Sequence, residues 1–259
     1  MNFFFRRCLM ALTAGALVLL ACLPRMAQED LMSRPFQQWS KADVSRLLNE
    51  SAWAKTQEVR VRPRRQVRSV AGQVESTSTA DRQAALGGAE DAKDYRFTIR
   101  LRSALPVRQA IVRLVQLDAR YDQMTQAEKR TVDAQTRTLL ECPECKDNYI
   151  VSVGFGSTNS PGSDLIYDWF RGQTIESLKG YIYLANDRGM RRDLSGFIAP
   201  KVPGDEAFFF FPRRDQQGRP LIADNDRKLI FRMSDANANS VTNFTLDVSR
   251  MNVHGKLEF

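Results

Sequence analysis

Histidine is nearly absent from this 259-residue chain: His254 is the only one. A serine hydrolase needs a histidine base beside its nucleophile and an orienting acid. No Gly-x-Ser-x-Gly or Ser-x-x-Lys accompanies His254, so that chemistry lacks its parts. Cysteine is also scarce, with four residues at 8, 22, 142 and 145. A structural zinc site needs four ligands. Cys142 and Cys145 supply two, and no second Cys-x-x-Cys follows. The glycines give no dinucleotide fingerprint, since Gly154-Phe155-Gly156 has no third glycine at the required place. No repeat recurs at a fixed period.

The first thirty residues do carry a signal. Arg6 and Arg7 precede an apolar run from Cys8 to Leu23, and polar residues resume at Gln28. Basic end, apolar middle and polar exit are the layout of an export signal. A membrane-spanning helix wants about twenty apolar residues, more than this run holds. Two exits are open. The signal can span residues 1–27, although Arg25 then occupies a place that favours small residues. Alternatively, Leu19-Leu20-Ala21-Cys22 resembles a bacterial lipobox, which ends the signal at 21 and leaves Cys22 as a lipidated first residue. Leu23 follows Cys22 where an acid would favour the inner membrane, so the expected place is periplasmic or anchored to the outer membrane.

Setting aside residues 1–27 removes Arg6, Arg7 and Arg25 and no acid, so the net charge falls from +8 to +5. Much of the excess sits in Arg60, Arg62, Arg64, Arg65 and Arg68. Outside the cytoplasm such a cluster faces an anionic membrane or cell-wall surface rather than nucleic acid. The alternative is an arginine-rich loop that only keeps itself solvated.

The remaining 28–259 is long enough for one sizeable domain. Ser40 and Asp43 have capping-box spacing, Trp39 and Val44 are placed to staple the helix start, and Val44, Leu47 and Leu48 share one face. Trp39 and Trp53 flank that helix as core anchors. Val59 and Val61 begin a strand. Residues 64–93 are rich in Arg, Gln, Ser, Thr, Ala and Gly, and cannot bury enough apolar surface to offset their ordering entropy. They read as a disordered insertion between two neighbouring strands, because Tyr95 to Leu101 alternates apolar and polar residues.

Pro106 opens a helix with Val107, Ala110, Ile111, Leu114 and Leu117 on its stripe and Arg108, Gln109 and Arg113 off it. Thr125 and Glu128 box the start of a surface helix running to about Leu140. Tyr149–Val153 is a strand, Gly154 and Gly156 begin a loop, and Asp164–Phe170 is a helical turn. Tyr181–Leu184, Phe208–Phe211, Lys228–Met233, Phe244–Val248 and Lys256–Phe259 read as strands; taken from Val253, the last of them holds His254. Phe208–Phe211 is expected to be buried on both sides and ended by Pro212; the alternative is a patch that touches a membrane. The fold class is α+β: an antiparallel sheet with two or three helices packed on one side, in a single domain.

Three short segments, Trp39-Ser40 to Ala54, Ser103-Ala104-Leu105-Pro106-Val107-Arg108, and Gly255-Lys256-Leu257-Glu258-Phe259, resemble a group of uncharacterised exported proteins of acidobacteria. The resemblance implies one continuous domain and carries no activity.

Cys142-Pro143-Glu144-Cys145 is the strongest chemical motif. It follows a helix and precedes a strand, the reverse of a thioredoxin-like site, so a structural disulfide in an oxidising compartment is expected. A redox-active pair is the alternative. Asp235, Asn237 and Asn239 have the spacing of a calcium loop, but Ser240 replaces its glycine and Leu246 its glutamate. No metal, cofactor or catalytic residue is therefore expected. The chain reads as a non-catalytic envelope protein, a binding or assembly module with an unknown partner. Its rival is a periplasmic thiol–disulfide oxidoreductase.

Overall fold

The computed structural model describes residues 30–61, 93–157, 165–223, 225–234 and 241–259. After a short helical turn at residues 30–33, α1 (Lys41–Asn49) starts at Ser40 with the full capping box. Trp39 precedes the cap, and its indole N–H donates to Leu31 O at 3.1 Å. Val44, Leu47 and Leu48 are buried, as their spacing requires.

Strand β1 (Ala54–Val61) pairs antiparallel with β2 (Lys93–Leu101) along its whole length, from Ala54 opposite Arg100 to Val61 opposite Lys93. The two strands flanking the insertion are thus neighbours, as the alternation implies. Strand β1 begins five residues earlier than its valines mark, because Trp53 and Ala54 are buried as the chain leaves α1. Residues 62–92, which hold most of the expected insertion, lie outside the described residues.

Helix α2 (Leu105–Asp118) carries Pro106 in its first turn, where the missing N–H removes no helical bond. Its buried face is rotated from the expected stripe. Arg113 and Gln116 are buried, whereas Ile111, Leu114 and Leu117 are only partly covered. Arg113 is drawn inward by acceptors: Nε donates to Trp39 O at 3.0 Å, and Nη1 and Nη2 donate to the Asp122 carboxylate at 3.2 and 3.0 Å. Helix α3 (Gln126–Glu141) has its Thr125–Glu128 box and buries only Thr136, as expected of a surface helix.

Strand β3 (Asn148–Ser157) runs through Gly154 and Gly156, which were expected in a loop. Pairing with β2 extends it: Gly154 lies opposite Thr98 and Gly156 opposite Arg96. Next come α4 (Leu165–Arg171), α5 (Ile175–Leu178), β4 (Ile182–Asn186), β5 (Arg191–Asp193), β6 (Gly196–Ile198) and β7 (Ala207–Pro212). The chain ends with β8 (Lys228–Ser234), β9 (Val241–Asp247) and a ribbon of β10 (Asn252–Val253) and β11 (Lys256–Leu257). His254 is not inside a strand: it sits at φ 51° in the ribbon turn with Gly255 at φ 82°. Asn252 Oδ1 accepts from Gly255 N–H at 2.8 Å and closes that turn.

Among the described residues every strand pair is antiparallel. The architecture is α+β, with the strands distributed over a five-stranded sheet (β1-β2-β3-β7-β6), a four-stranded sheet (β5-β4-β8-β9) and the ribbon. The inner faces of the two sheets meet through a chain of rings. Phe209 and Phe231 lie 5.6 Å apart, Phe211 and Phe231 6.2 Å, and Phe231 and Phe244 6.2 Å. Phe170 of α4 joins them from the side, 5.2 Å from Phe155 and 5.9 Å from Phe209. One apolar cluster runs from Leu31 to Met251 through both sheets. On the other side of the larger sheet, α1 packs on α2 and α2 on α3.

Strand β7 corrects one expectation. Ala207, Phe209 and Phe211 are buried, but Phe208 and Phe210 are only half covered. The strand has one core face and one face toward a cleft.

Candidate functional site

The site begins with the register of the larger sheet. Residues paired across antiparallel strands share a face. The core takes Tyr95, Phe97, Ile99 and Leu101 of β2. The opposite, outer face therefore presents Arg96, Thr98 and Arg100, then Ile150, Ser152, Gly154 and Gly156 of β3, then Phe208 and Phe210 of β7, then Ile198 of β6. This face has two halves.

The first half is a polar trough of about 470 Å³ lined by Arg96, Thr98, Arg100, Gly154, Gly156 and Glu206. The glycines form its floor. A Cβ on Gly156 would meet nothing within 4 Å, and one on Gly154 would stand 3.4 Å from the Arg100 guanidinium. Arg100 is fully engaged. Its Nε donates to Leu48 O at 2.6 Å and its Nη2 to Asn49 Oδ1 at 3.0 Å, which satisfies the end of α1. Its Nη1 donates to Glu206. Arg96 is paired with Glu58 at 2.8 Å.

The second half is an apolar cleft of about 290 Å³ between this face and the helices. Ile150, Phe208, Phe210 and Ile198 come from the sheet; Ile111 comes from α2, and Thr138, Leu139 and Cys142 from the end of α3. Leu139 and Ile198 are 38% and 49% exposed, which places them at its mouth. Arg102, Arg108 and Glu144 add charge. Arg102 divides the halves: its guanidinium lies 5.2 Å from the centre of the Phe208 ring and 3.7 Å from Glu206 Oε2. Burial pulls Arg102 below the ordinary arginine range, Glu206 opposes this, and Arg100 adds repulsion. Arg108 is pulled down in the same way by burial, against Glu258 and with repulsion from Arg213. The Nε of Arg108 is buried with no hydrogen-bond partner.

Cys142 and Cys145 stand at the corner between α3 and β3, with Sγ atoms at bonding distance and Cα atoms 5.4 Å apart. Cys142 ends α3 in a left-handed conformation at φ 37°, and the Cys145 N–H donates back to Cys142 O at 3.0 Å. Cys145 is buried, and its carbonyl accepts from Arg213 Nε at 2.9 Å. A cysteine at a helix C-terminus feels the negative end of the dipole, which disfavours a thiolate.

Residues 39–54, 103–108 and 255–259 meet beside this corner. Trp53 Nε1 donates to Glu258 O at 2.6 Å, and Arg108 is within electrostatic reach of Glu258. Phe259 packs 5.7 Å from Tyr149, and Arg213 lies over both rings. Burial pushes the Tyr149 hydroxyl up, against the pull of Arg213.

Among the other expected residues, Arg60 lies in β1, while Cys22, Arg62, Arg64, Arg65 and Arg68 lie outside the described residues. Residues 235–240 lie outside them too, but Leu246, at the glutamate position of the calcium pattern, is buried in β9. His254 is exposed in its turn and joins neither half of the face. Among the described residues, no group of three His, Cys, Asp or Glu could hold a metal ion, and no helix is long and apolar enough to cross a membrane. Sequence reasoning missed Arg102, Arg108 and Glu206. A signal existed for one of them: Arg96, Arg100 and Arg102 recur at even spacing, which puts them on one face of β2 and its extension. Neither a family model, nor a curated protein, nor a solved structure matches this chain.

Proposed function

We propose that the protein is a non-catalytic binding or assembly module of the cell envelope, exported by its first segment and held on the membrane through Cys22. The observation that carries this reading is the amphipathic cleft on the outer face of the larger sheet. Its walls are apolar, its mouth carries exposed Leu139 and Ile198, and guanidinium groups stand at one end. Clefts with apolar walls and a few polar groups are the ordinary form of binding sites. Among the described residues, the titratable groups that line it are two arginines and Glu144, a set suited to holding a ligand. The test is Ile198→Asp with Leu139→Asp. Made in a chain that starts at residue 28 and so lacks the Cys22 anchor, these mouth substitutions are expected to leave the melting temperature within a few degrees of the parent and to abolish retention on isolated envelopes. Unchanged retention would remove the cleft from the function.

One observation favours the thiol–disulfide reading: Cys142 is half-exposed and lines the same cleft. A redox enzyme would exchange its Cys142–Cys145 bond readily with glutathione and lose activity on Cys142→Ser. A pair that stays oxidised in a glutathione buffer, and whose removal only lowers stability, leaves the binding reading in place.

A further inference from the structure

We propose that the cleft binds a medium-chain aliphatic monocarboxylate, with Arg108 and Arg102 receiving the carboxylate and the Ile150, Phe208 and Phe210 side chains covering the chain. This inference rests on the cleft being the binding site, and it names the ligand class.

Four observations lead there. The first is polarity along the face. The sheet order β2-β3-β7-β6 places Arg102 just beyond β2 and Ile198 on the edge strand β6. Their backbones are three strand spacings of about 4.8 Å apart, and the Arg102 side chain reaches back over Phe208, the residue paired with Ile198, so the cation stands within the apolar cleft. The second is the unpartnered donor. Arg108 Nε is buried without a hydrogen bond, a donor whose bonding capacity is left unused. Arg102 stands 3.7 Å from Glu206 Oε2, outside hydrogen-bond distance. A guanidinium presents forked donors that match a carboxylate.

The third is charge balance. The acids facing these arginines are Glu206, already bonded by Arg100; Glu144, on the cleft wall; and Glu258, across from Arg108. With Arg100 beside Arg102 and Arg213 beside Arg108, four guanidinium groups face these three carboxylates, and the surplus of one positive charge matches a monocarboxylate rather than a phosphate. The fourth is the lack of backbone partners. Apart from the charged groups, Thr138 is the only polar side chain of the lining among the described residues. A peptide would bury amide groups with nothing to bond, whereas an alkyl chain has none to satisfy. The volume of about 290 Å³ lies at the lower edge of small-molecule sites, which suits one chain of modest length and excludes a two-chain lipid.

The test is calorimetric titration of the whole folded chain with decanoate, decanol, decyltrimethylammonium and acetate, each below its micelle threshold. Wild type is expected to take up one decanoate at least tenfold more tightly than decanol, and to bind decyltrimethylammonium and acetate more weakly still. Arg108→Gln is expected to erase the preference for decanoate over decanol while keeping decanol binding, which also shows that the variant is folded. Ile198→Asp is expected to weaken decanoate and decanol alike. Equal binding of all three decyl compounds would overturn the carboxylate assignment and leave the cleft as a binding site. No uptake of any of them, together with unchanged envelope retention of the mouth variants, would overturn both readings. A dimer that Ile198→Asp disperses, with no amphiphile bound, would assign the face to a second copy of the chain and overturn the proposal.

Discussion

Asp226 shows how single residues hold the four-stranded sheet to its loops. Its side chain has no exposed surface. It accepts from Arg188 Nε and Nη2 at 2.6 and 2.8 Å, from Asn186 Nδ2 at 3.2 Å and from the Ala223 N–H at 2.8 Å. Burial alone would raise its pKa, but the Ala223 N–H, Arg188 and Asn186 outweigh that and hold the carboxyl below its ordinary range. A carboxylate depressed in the folded state contributes its stability fully above the unfolded pKa of about 3.9, and loses it as pH falls through the folded pKa. Asp226→Asn is therefore expected to destabilise by about 2 kcal/mol at neutral pH. The gap from wild type should narrow only below about pH 4. Urea melts across pH check both parts, and a gap that stays constant into strong acid would contradict them. Arg113 makes a second case. Its side chain is 6% exposed. Arg113→Ala strands the Trp39 carbonyl and opens a cavity, with an expected loss of about 2 kcal/mol. Periodicity placed this residue outside the stripe because a helical wheel registers hydrophobicity and is blind to acceptors on neighbouring elements.

Among the elements, those whose ends carry local chemistry were legible in the sequence. Both long-range helix starts, Ser40 with Asp43 and Thr125 with Glu128, form the boxes their spacing encodes. The same cap should matter differently in the two helices. Helix α1 buries Val44, Leu47 and Leu48, whereas α3 buries only Thr136. Ser40→Ala is expected to cost about 1 kcal/mol of global stability. Thr125→Ala should cost clearly less, because the exposed α3 can fray without opening the core. Denaturant midpoints of the two variants decide this. Removing the Cys142–Cys145 link by a double alanine substitution is expected to cost about 2 kcal/mol, since the closed loop is so short. Strand ends were less legible. Gly154 and Gly156 carry no side chain for a period-two pattern to detect, yet the ladder with Thr98 and Arg96 extends β3 through them. His254 and Gly255 read as strand because the ribbon around them is only two residues long on each side.

For the whole molecule, composition and strand alternation are enough to give an all-antiparallel α+β domain whose first two strands are neighbours. The division into two sheets is not encoded locally. It follows from which aromatic faces meet, and Phe209, Phe211, Phe231 and Phe244 look alike in sequence whichever sheet they join. The cleft was hidden for a related reason: Phe208 and Phe210 differ from Phe209 and Phe211 only in parity. Pairing along the whole of β1 and β2 predicts the outcome of limited proteolysis between Arg64 and Lys93. The nicked fragments should co-elute as one folded particle; fragments that separate and fold alone would instead make this segment a linker between domains. The central claim is that the amphipathic cleft is where the protein binds. Methyl NMR of the isoleucines and leucines during a decanoate titration tests it most directly. The account predicts shifts concentrated at Ile111, Leu139, Ile150 and Ile198 with the core methyls of Ile99 and Leu184 unmoved, and shifts that bypass those four residues would contradict it.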